Sequence, residues 1–529
     1  MFTDTSRPLG GGGAGGNAQT SKLQPDPNMM QLPSERWPAG WLPKTLRTRD
    51  LTILCLFAVL LITNVQLVAG GGAAGFLYWM LGFFLFLIPS ALVCAQLYRF
   101  FPGEGAVYLW ARKAFGGFWD TFLGFFCNWW PGAIGLTVEV GAFVSSIQAL
   151  HPDWLAVSWQ QGLAEILVLL LAQALCFLDQ QRLQRILNIA FFAYVSMVAL
   201  VGLAGVFWVI SGHQLQGDFS PQGWQLSSAN APIFATVVVA LLGIAIPLNL
   251  GAEVTHERNG YTYLFWGVLI TIVGYLFATF AILAVLPAKD LANPAFLGLV
   301  FRRAFGPGLG DAISVINYLI LAFYFVCATA AYNSMFARLL LVAGVDHRLP
   351  RPMRKLSPRR VPINATIVQT CINIVFVAVL FFLTPSANGL STTVFLVIMN
   401  AASVVWNIAM IALFLCGIIL GIRFGSQFKQ RWLVPFPVLL LASLCGILAS
   451  CVAIYSTFFV GSPVPNVLGN EDWVFWVLLT VLVSLVIGAI YSFLAPEAED
   501  LIALLHSNKS ASIARKEAPN GQGFQTHQR

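Results

Sequence analysis

Charge is scarce in this chain. Only 10% of its 529 residues are Asp, Glu, Lys or Arg and 58% are hydrophobic, where a soluble protein carries about 25% charged residues. That excludes an ordinary soluble domain and points to a polytopic membrane protein. Histidine is sparse too. The six His, at 151, 213, 256, 347, 506 and 527, all lie in loops or tails, which argues against an intramembrane histidine relay or a zinc site. The nine Cys fall in apolar runs and none forms a C-x-x-C pair. They read as small packing residues, with no disulfide framework and no metal site. A phosphate-cradling G-x-x-x-x-G-K is missing, and no cluster of His, Asp or Ser sits at one depth. An embedded enzyme and a bound cofactor therefore find no support. Rings of charge that would suit a channel are also lacking.

What is present is a series of twelve apolar runs, each near the ~20 residues of a spanning helix. The expected spans are 50–69, 76–99, 118–148, 158–178, 186–211, 231–251, 262–287, 312–341, 362–384, 391–420, 433–459 and 473–494. The third and eighth are long, which suggests tilt. The net charge of +7 would suit nucleic acid, but the positive charges sit in short loops, so lipid is the expected partner and nucleic acid is not. Of 29 Lys and Arg, 26 fall on the side of the N-terminus and only Lys289, Arg302 and Arg303 on the other. By the positive-inside rule both termini are cytoplasmic, with the chain in the cell membrane. No Lys or Arg is left over for the membrane core.

Residues 1–48 hold GGGGAGG at 10–16 and read as a disordered cytoplasmic N-terminal tail. Residues 49–495 form the twelve-helix domain, and 496–529 a cytoplasmic C-terminal tail. That tail opens PEAEDLIALLHS, a short amphipathic helix that either packs on the cytoplasmic face or plugs an inner vestibule.

The first run holds Thr63, Asn64, Val65 and Gln66 between apolar stretches and ends in Gly70-Gly71-Gly72. A lipid-facing helix has no use for Asn and Gln at that depth, whereas a helix that breaks around a solute does. The sixth run carries Gly243, Pro247, Asn249 and Gly251. Pro247 must kink or open it. Interrupted helices at matching positions of two five-helix halves point to a midplane site, and the odd number makes the second half inverted.

Two stretches resemble the amino acid–polyamine–organocation (APC) permease superfamily. One is CAQLYRFFPGEGAVYLWARKAFG, residues 94–116; the other is NSMFARLLLVAGVDHRLPRPMRKLSPRRVPINA, residues 333–365. The resemblance covers roughly 48–495. It implies an all-α fold with a LeuT-like 5+5 inverted repeat plus two C-terminal helices, and transport of a small molecule, an amino acid or related amine. The first helix, Thr63-Asn64-Val65-Gln66-Leu67-Val68-Ala69-Gly70, is partly similar to the glutamate/GABA antiporter branch. The usual Gly-x-Gly of helix 1 is absent, and the Gly-Phe-Glu of helix 6 is replaced by Gly243-Ile244-Ala245.

The expected substrate site comprises Thr63, Asn64, Val65 and Gln66, facing Gly243, Ile244 and Ala245, with backbone amides at the breaks holding a carboxylate. Asn64 and Gln66 alternatively bond neighbouring helices. Asn128 beside Trp129 and Trp130, and Tyr324 in helix 8, are further wall candidates. Asn400, Ser403 and Asn407 share a face of helix 10 and either line the path or bond neighbours. Glu139 lies well inside run 3, where a carboxylate is a coupling candidate unless it faces external water. Glu165 reads as interfacial. Glu253 and Glu257, with Arg99 and Arg338, form either an inner gate or a solvated rim. Run 5 has no charged residue, which excludes a lysine switch there. A transport-deficient amino-acid sensor is the alternative to a secondary transporter. Oligomeric state leaves no mark in the sequence.

Overall fold

The computed structural model describes residues 33–227, 230–291, 293–383, 390–427, 429–459 and 468–495. The Gly-rich start of the chain and the stretch from 496, with its expected amphipathic helix, lie outside them. Twelve helices are long and apolar enough to cross a membrane, as expected. They are α1 (Thr48–Ala69), α2 (Ala74–Phe100), α3 (Gly117–Leu150), α4 (Ser158–Cys176), α5 (Gln180–Ile210) and α6 (Pro232–Glu253). The second set is α7 (Asn259–Val285), α8 (Leu309–Val345), α9 (Ile363–Leu383), α10 (Thr393–Phe424), α11 (Phe436–Phe459) and α12 (Asn470–Leu494). Among the described residues the only β-type pairing is an isolated bridge from Leu46 to Val254.

Burial sorts these helices. The apolar window of α6 is 78% buried and that of α1 is 72%, whereas α12 is only 28% buried. Helices that are apolar all round but exposed belong against lipid. α1 and α6 are thus the centre of the bundle, and α12 is its rim. α8 packs along α3, and α10 along α11.

Both central helices are interrupted. α1 is helical over Thr48–Val59 and again over Ile62–Ala69. Between them Leu60 has φ −112°, ψ 80° and Leu61 φ −108°, ψ 120°. The break therefore falls on two leucines, just before the polar segment expected to hold it. α6 is an α-helix only over Pro232–Ala240. From Leu242 to Glu253 it tightens into 3-10 turns, with Pro247 inside and Leu250 off helical geometry. Gly70-Gly71-Gly72 makes the turn into α2.

Residues 33–48, expected to belong to a disordered tail, are ordered. Pro33–Trp41 is helical. Ser34 donates its amide and hydroxyl to Asp346, at 2.9 and 2.7 Å, and the amides of Thr45 and Leu46 reach the Glu253 carbonyl. Leu42 and Leu46 are buried against the bundle. Two apolar anchors and fixed backbone bonds outweigh the ordering cost that the polar composition suggested.

Candidate functional site

A break in the middle of a bundle frees backbone groups that must find partners away from water. Three tyrosines supply them at α1. Tyr332 of α8 donates its hydroxyl to the Ala58 carbonyl at 3.2 Å. Tyr275 of α7 donates to the Val59 carbonyl at 2.5 Å and accepts from the Leu61 amide at 3.2 Å. Tyr194 of α5 donates to the Leu60 carbonyl and accepts from the Ile62 amide, both at 2.8 Å. Each ring is buried. Sequence reasoning missed all three. The available signal was a hydroxyl-bearing aromatic deep inside three separate apolar runs.

α6 is satisfied in the same way. Tyr263 donates to the Ile244 carbonyl at 3.2 Å and Tyr98 to the Gly251 carbonyl at 3.0 Å. The Gly105 amide reaches the Asn249 carbonyl at 3.1 Å. Gly243 faces the backbone of α1 so closely that an added Cβ would stand 2.6 Å from the Ala58 carbonyl oxygen.

The expected site residues are therefore split. Thr63, Asn64 and Gln66 line a cavity of ≈ 630 Å³ between α1, α3, α4, α8 and α9. Asn64 donates its amide to the Tyr275 hydroxyl at 3.2 Å, and Gln66 donates to the Leu291 carbonyl at 2.6 Å. Both thus bond neighbours and face space at once. Val65 points into the core, 1% exposed. Ile244 is fully buried. Ala245 lines a much smaller void with Asn128, Asn249 and Trp406. Asn128 does not face the large cavity; its amide tethers the carbonyls of Leu123 and Gly124 on its own helix. Those carbonyls belong to a widened turn over Asp120–Phe126, where the ordinary helix ladder is lost. Tyr324 is stacked between Phe57, at 4.8 Å, and Tyr194, at 3.9 Å. Its ring plugs the space beside the α1 break.

Glu139 is buried, 2% exposed, and its Oε2 has no partner. It does not face open water. Glu165, expected at the interface, is also buried but lines the large cavity. A second cavity, of ≈ 550 Å³, lies between α1, α3, α6, α10, α11 and α12, with Asn400 and Ser403 on its wall. Asn400, Ser403 and Asn407 all bond back to their own helix.

At the opposite end Arg338 of α8, absent from the expected membrane core, is 1% exposed. Its Nε and Nη2 both donate to Glu253 Oε1, at 2.9 and 2.7 Å, and Nη2 also reaches Gln180 Oε1 at 3.3 Å. Glu104 Oε1 lies 3.8 Å from its Nε. Glu104 Oε2 accepts from the Ala252 amide at 2.9 Å. Burial, and then the neighbouring Glu253 charge, push the Glu104 carboxyl above the ordinary carboxylate range against the pull of Arg338. Glu253 is thus the core of a buried ion cluster. Glu257 is exposed at the rim, and Arg99 bonds the Gln430 carbonyl instead. Glu104 was not anticipated. No group of His, Cys, Asp and Glu among the described residues is arranged to hold a metal.

Comparisons with known proteins agree with this architecture. The chain is similar to the glutamate/gamma-aminobutyrate antiporter of Lactococcus lactis, 24% identical over 443 residues, 80% of this chain and 84% of that one. It is also similar to the gamma-aminobutyric acid permease of Bacillus subtilis, 24% identical over 261 residues, 46% of this chain and 50% of that one. In three dimensions it resembles MhsT, solved with L-phenylalanine, with a TM-score of 0.54 at 12% identity, covering 78% of this chain and 99% of MhsT. That likeness establishes the LeuT-like fold. Residues 51–486 match the amino acid permease family, and this chain belongs to it.

Proposed function

We propose that this chain is a secondary transporter that moves amino acids or related amines across the cell membrane by alternating access, with both termini cytoplasmic. The observation that carries the reading is the pair of facing breaks in α1 and α6. They meet at the centre of the bundle, with an open cavity leading down to Thr63–Gln66. Broken helices at the midplane are where this kind of fold binds its solute. The distribution of Lys and Arg supports the orientation. Names of the relatives, an antiporter and a permease, favour exchange of small amino compounds.

In this reading Thr63, Asn64 and Gln66 meet the solute first, and Gly243 to Ala245 follow once the tyrosine plug moves. Glu139, without a hydrogen-bond partner for Oε2, is the coupling candidate. The Glu104–Arg338–Glu253 cluster is the closed inner gate. A sensor that binds but does not move its ligand is favoured by one observation: the backbone groups at both breaks are already taken by tyrosine hydroxyls. Counterflow in liposomes with a labelled amino-acid mixture separates the two. Exchange of one or more components is expected; binding with no flux for any component would mean a sensor.

A further inference from the structure

The large cavity is one-sided in its hydrogen-bonding chemistry. A serine or threonine hydroxyl carries a single proton and two lone pairs. Thr137, Ser145 and Ser146 each spend that proton on a carbonyl of their own helix, at 2.6, 3.1 and 2.8 Å. Gln66 spends both amide protons on the Leu291 and Asn293 carbonyls, and Asn64 spends one on Tyr275. Each leaves an oxygen to the cavity as an acceptor. The protons left on the wall are those of the Thr63 and Tyr318 hydroxyls and one amide proton each of Asn64 and Gln161, fewer than the acceptor oxygens.

Glu165 is the one acidic residue on that wall. It is 4% exposed and has no hydrogen bond or ion pair within the protein among the described residues. It packs against Gly141 of α3, where an added Cβ would lie at contact distance, 3.7 Å, from Glu165 Oε1, and a glycine offers the carboxyl no side-chain donor. A carboxylate is an acceptor only, and an intramembrane carboxylate without a partner is costly. What satisfies Glu165 and the surrounding oxygens together is a solute that brings protons and positive charge.

We propose that Glu165, with the hydroxyl oxygens of Ser145, Ser146 and Thr137 and the amide oxygens of Asn64 and Gln66, forms a subsite for an organic ammonium or guanidinium group in this cavity. The subsite names the amine end of the transported solute and so rests on the transport reading. Its carboxylate is carried by α4 and not by either broken helix, so it meets the amine in the cavity before the solute reaches the breaks. A carboxylate-bearing end is repelled by Glu165 and finds few donors on this wall, so it must travel ahead towards the breaks or be absent.

The full chain in nanodiscs, titrated with 1,4-diaminobutane, butyrate or sodium chloride and read by thermal shift, tests the subsite. The diamine is expected to stabilise the wild type and butyrate to leave it unchanged. Glu165→Gln should weaken the diamine about tenfold, the scale of losing one charged hydrogen-bond partner, with an unliganded midpoint equal to or above that of the wild type, since an unpartnered buried carboxylate is removed. Ser145→Ala is a milder variant, expected to weaken it about twofold to fivefold. Equal diamine affinity in wild type and both variants would overturn the subsite, as would stabilisation by sodium alone. Counterflow keeps the two readings apart. Amino-acid exchange that persists while the diamine never binds defeats the subsite alone. Diamine binding lost in Glu165→Gln, with no exchange of any solute by wild type, defeats transport alone.

Discussion

At one end of the bundle the space between α6 and α8 is closed by ions: Arg338 held by Glu253, with Glu104 beside it, all buried. At the other end the space between α3, α4 and α8 stays open, with several side-chain oxygens and one unpaired carboxylate on an otherwise apolar wall. Both ends hold acidic groups inside the membrane protein, but only one supplies a resident cation. Where the protein provides Arg338, the acids make a wall. Where it provides none, the acid faces empty volume, and the missing cation is left to a solute.

The strongest test of that contrast is removal of the resident cation. Arg338→Met strands two buried carboxylates, and breaking a buried pair in this way costs about 3–5 kcal/mol. A large fall in thermal midpoint is expected. Arg338→Met with Glu253→Gln should recover most of it, because an apolar or neutral replacement for both partners is often near neutral. With stability restored, the basic end should label faster with a thiol reagent at a cysteine introduced there. Unchanged labelling would mean that the cluster does not close that end.

A smaller effect is expected at the seam between the two ends. Tyr275→Phe leaves the Val59 carbonyl and Leu61 amide without their hydroxyl, at a cost of about 1–3 kcal/mol for buried groups. Lower thermal stability is expected together with altered exchange; a neutral result would mean that water replaces the hydroxyl. Asn64→Ala should be milder for stability, about 1 kcal/mol, but should reduce counterflow more than folded yield. Parallel loss of both would make Asn64 an interhelical bond and nothing more.

The smallest effect concerns the N-terminal segment docked at the basic end. Burial pushes the Asp346 carboxyl from its ordinary 3.8 up to about 7, against the hydrogen bonds from Ser34. A raised carboxyl stabilises the fold while protonated, below its unfolded value. That contribution is lost as pH rises through about 7. The thermal midpoint should therefore fall between about pH 4 and pH 7, the window of this shift, and Asp346→Asn should flatten the dependence. A profile that stays steep in the variant would place the titrating group elsewhere.

The membrane spans were legible because hydropathy and the alternation of basic loops are properties of contiguous sequence. So was the kink of α6, since Pro247 cannot continue a helix. The break in α1 was displaced because it falls on Leu60 and Leu61, which carry no local signal; its cause is three hydroxyls contributed by α5, α7 and α8. Glu165 was misread for a similar reason. Near a helix end an acid normally meets water, and the approach of α3, α8 and α9 to α4 buries it. Asn128 attracted notice for polarity, yet its amide serves a widened turn that cannot be foreseen from composition. Polar residues announce depth well. Which neighbour claims them depends on distant chain.

Gly243 touches the backbone of Ala58 with no side chain between them. The two broken helices thus cross backbone to backbone, and any side chain larger than hydrogen at position 243 would push α6, which ends at Glu253, away from α1. One glycine hydrogen is all the room that crossing has.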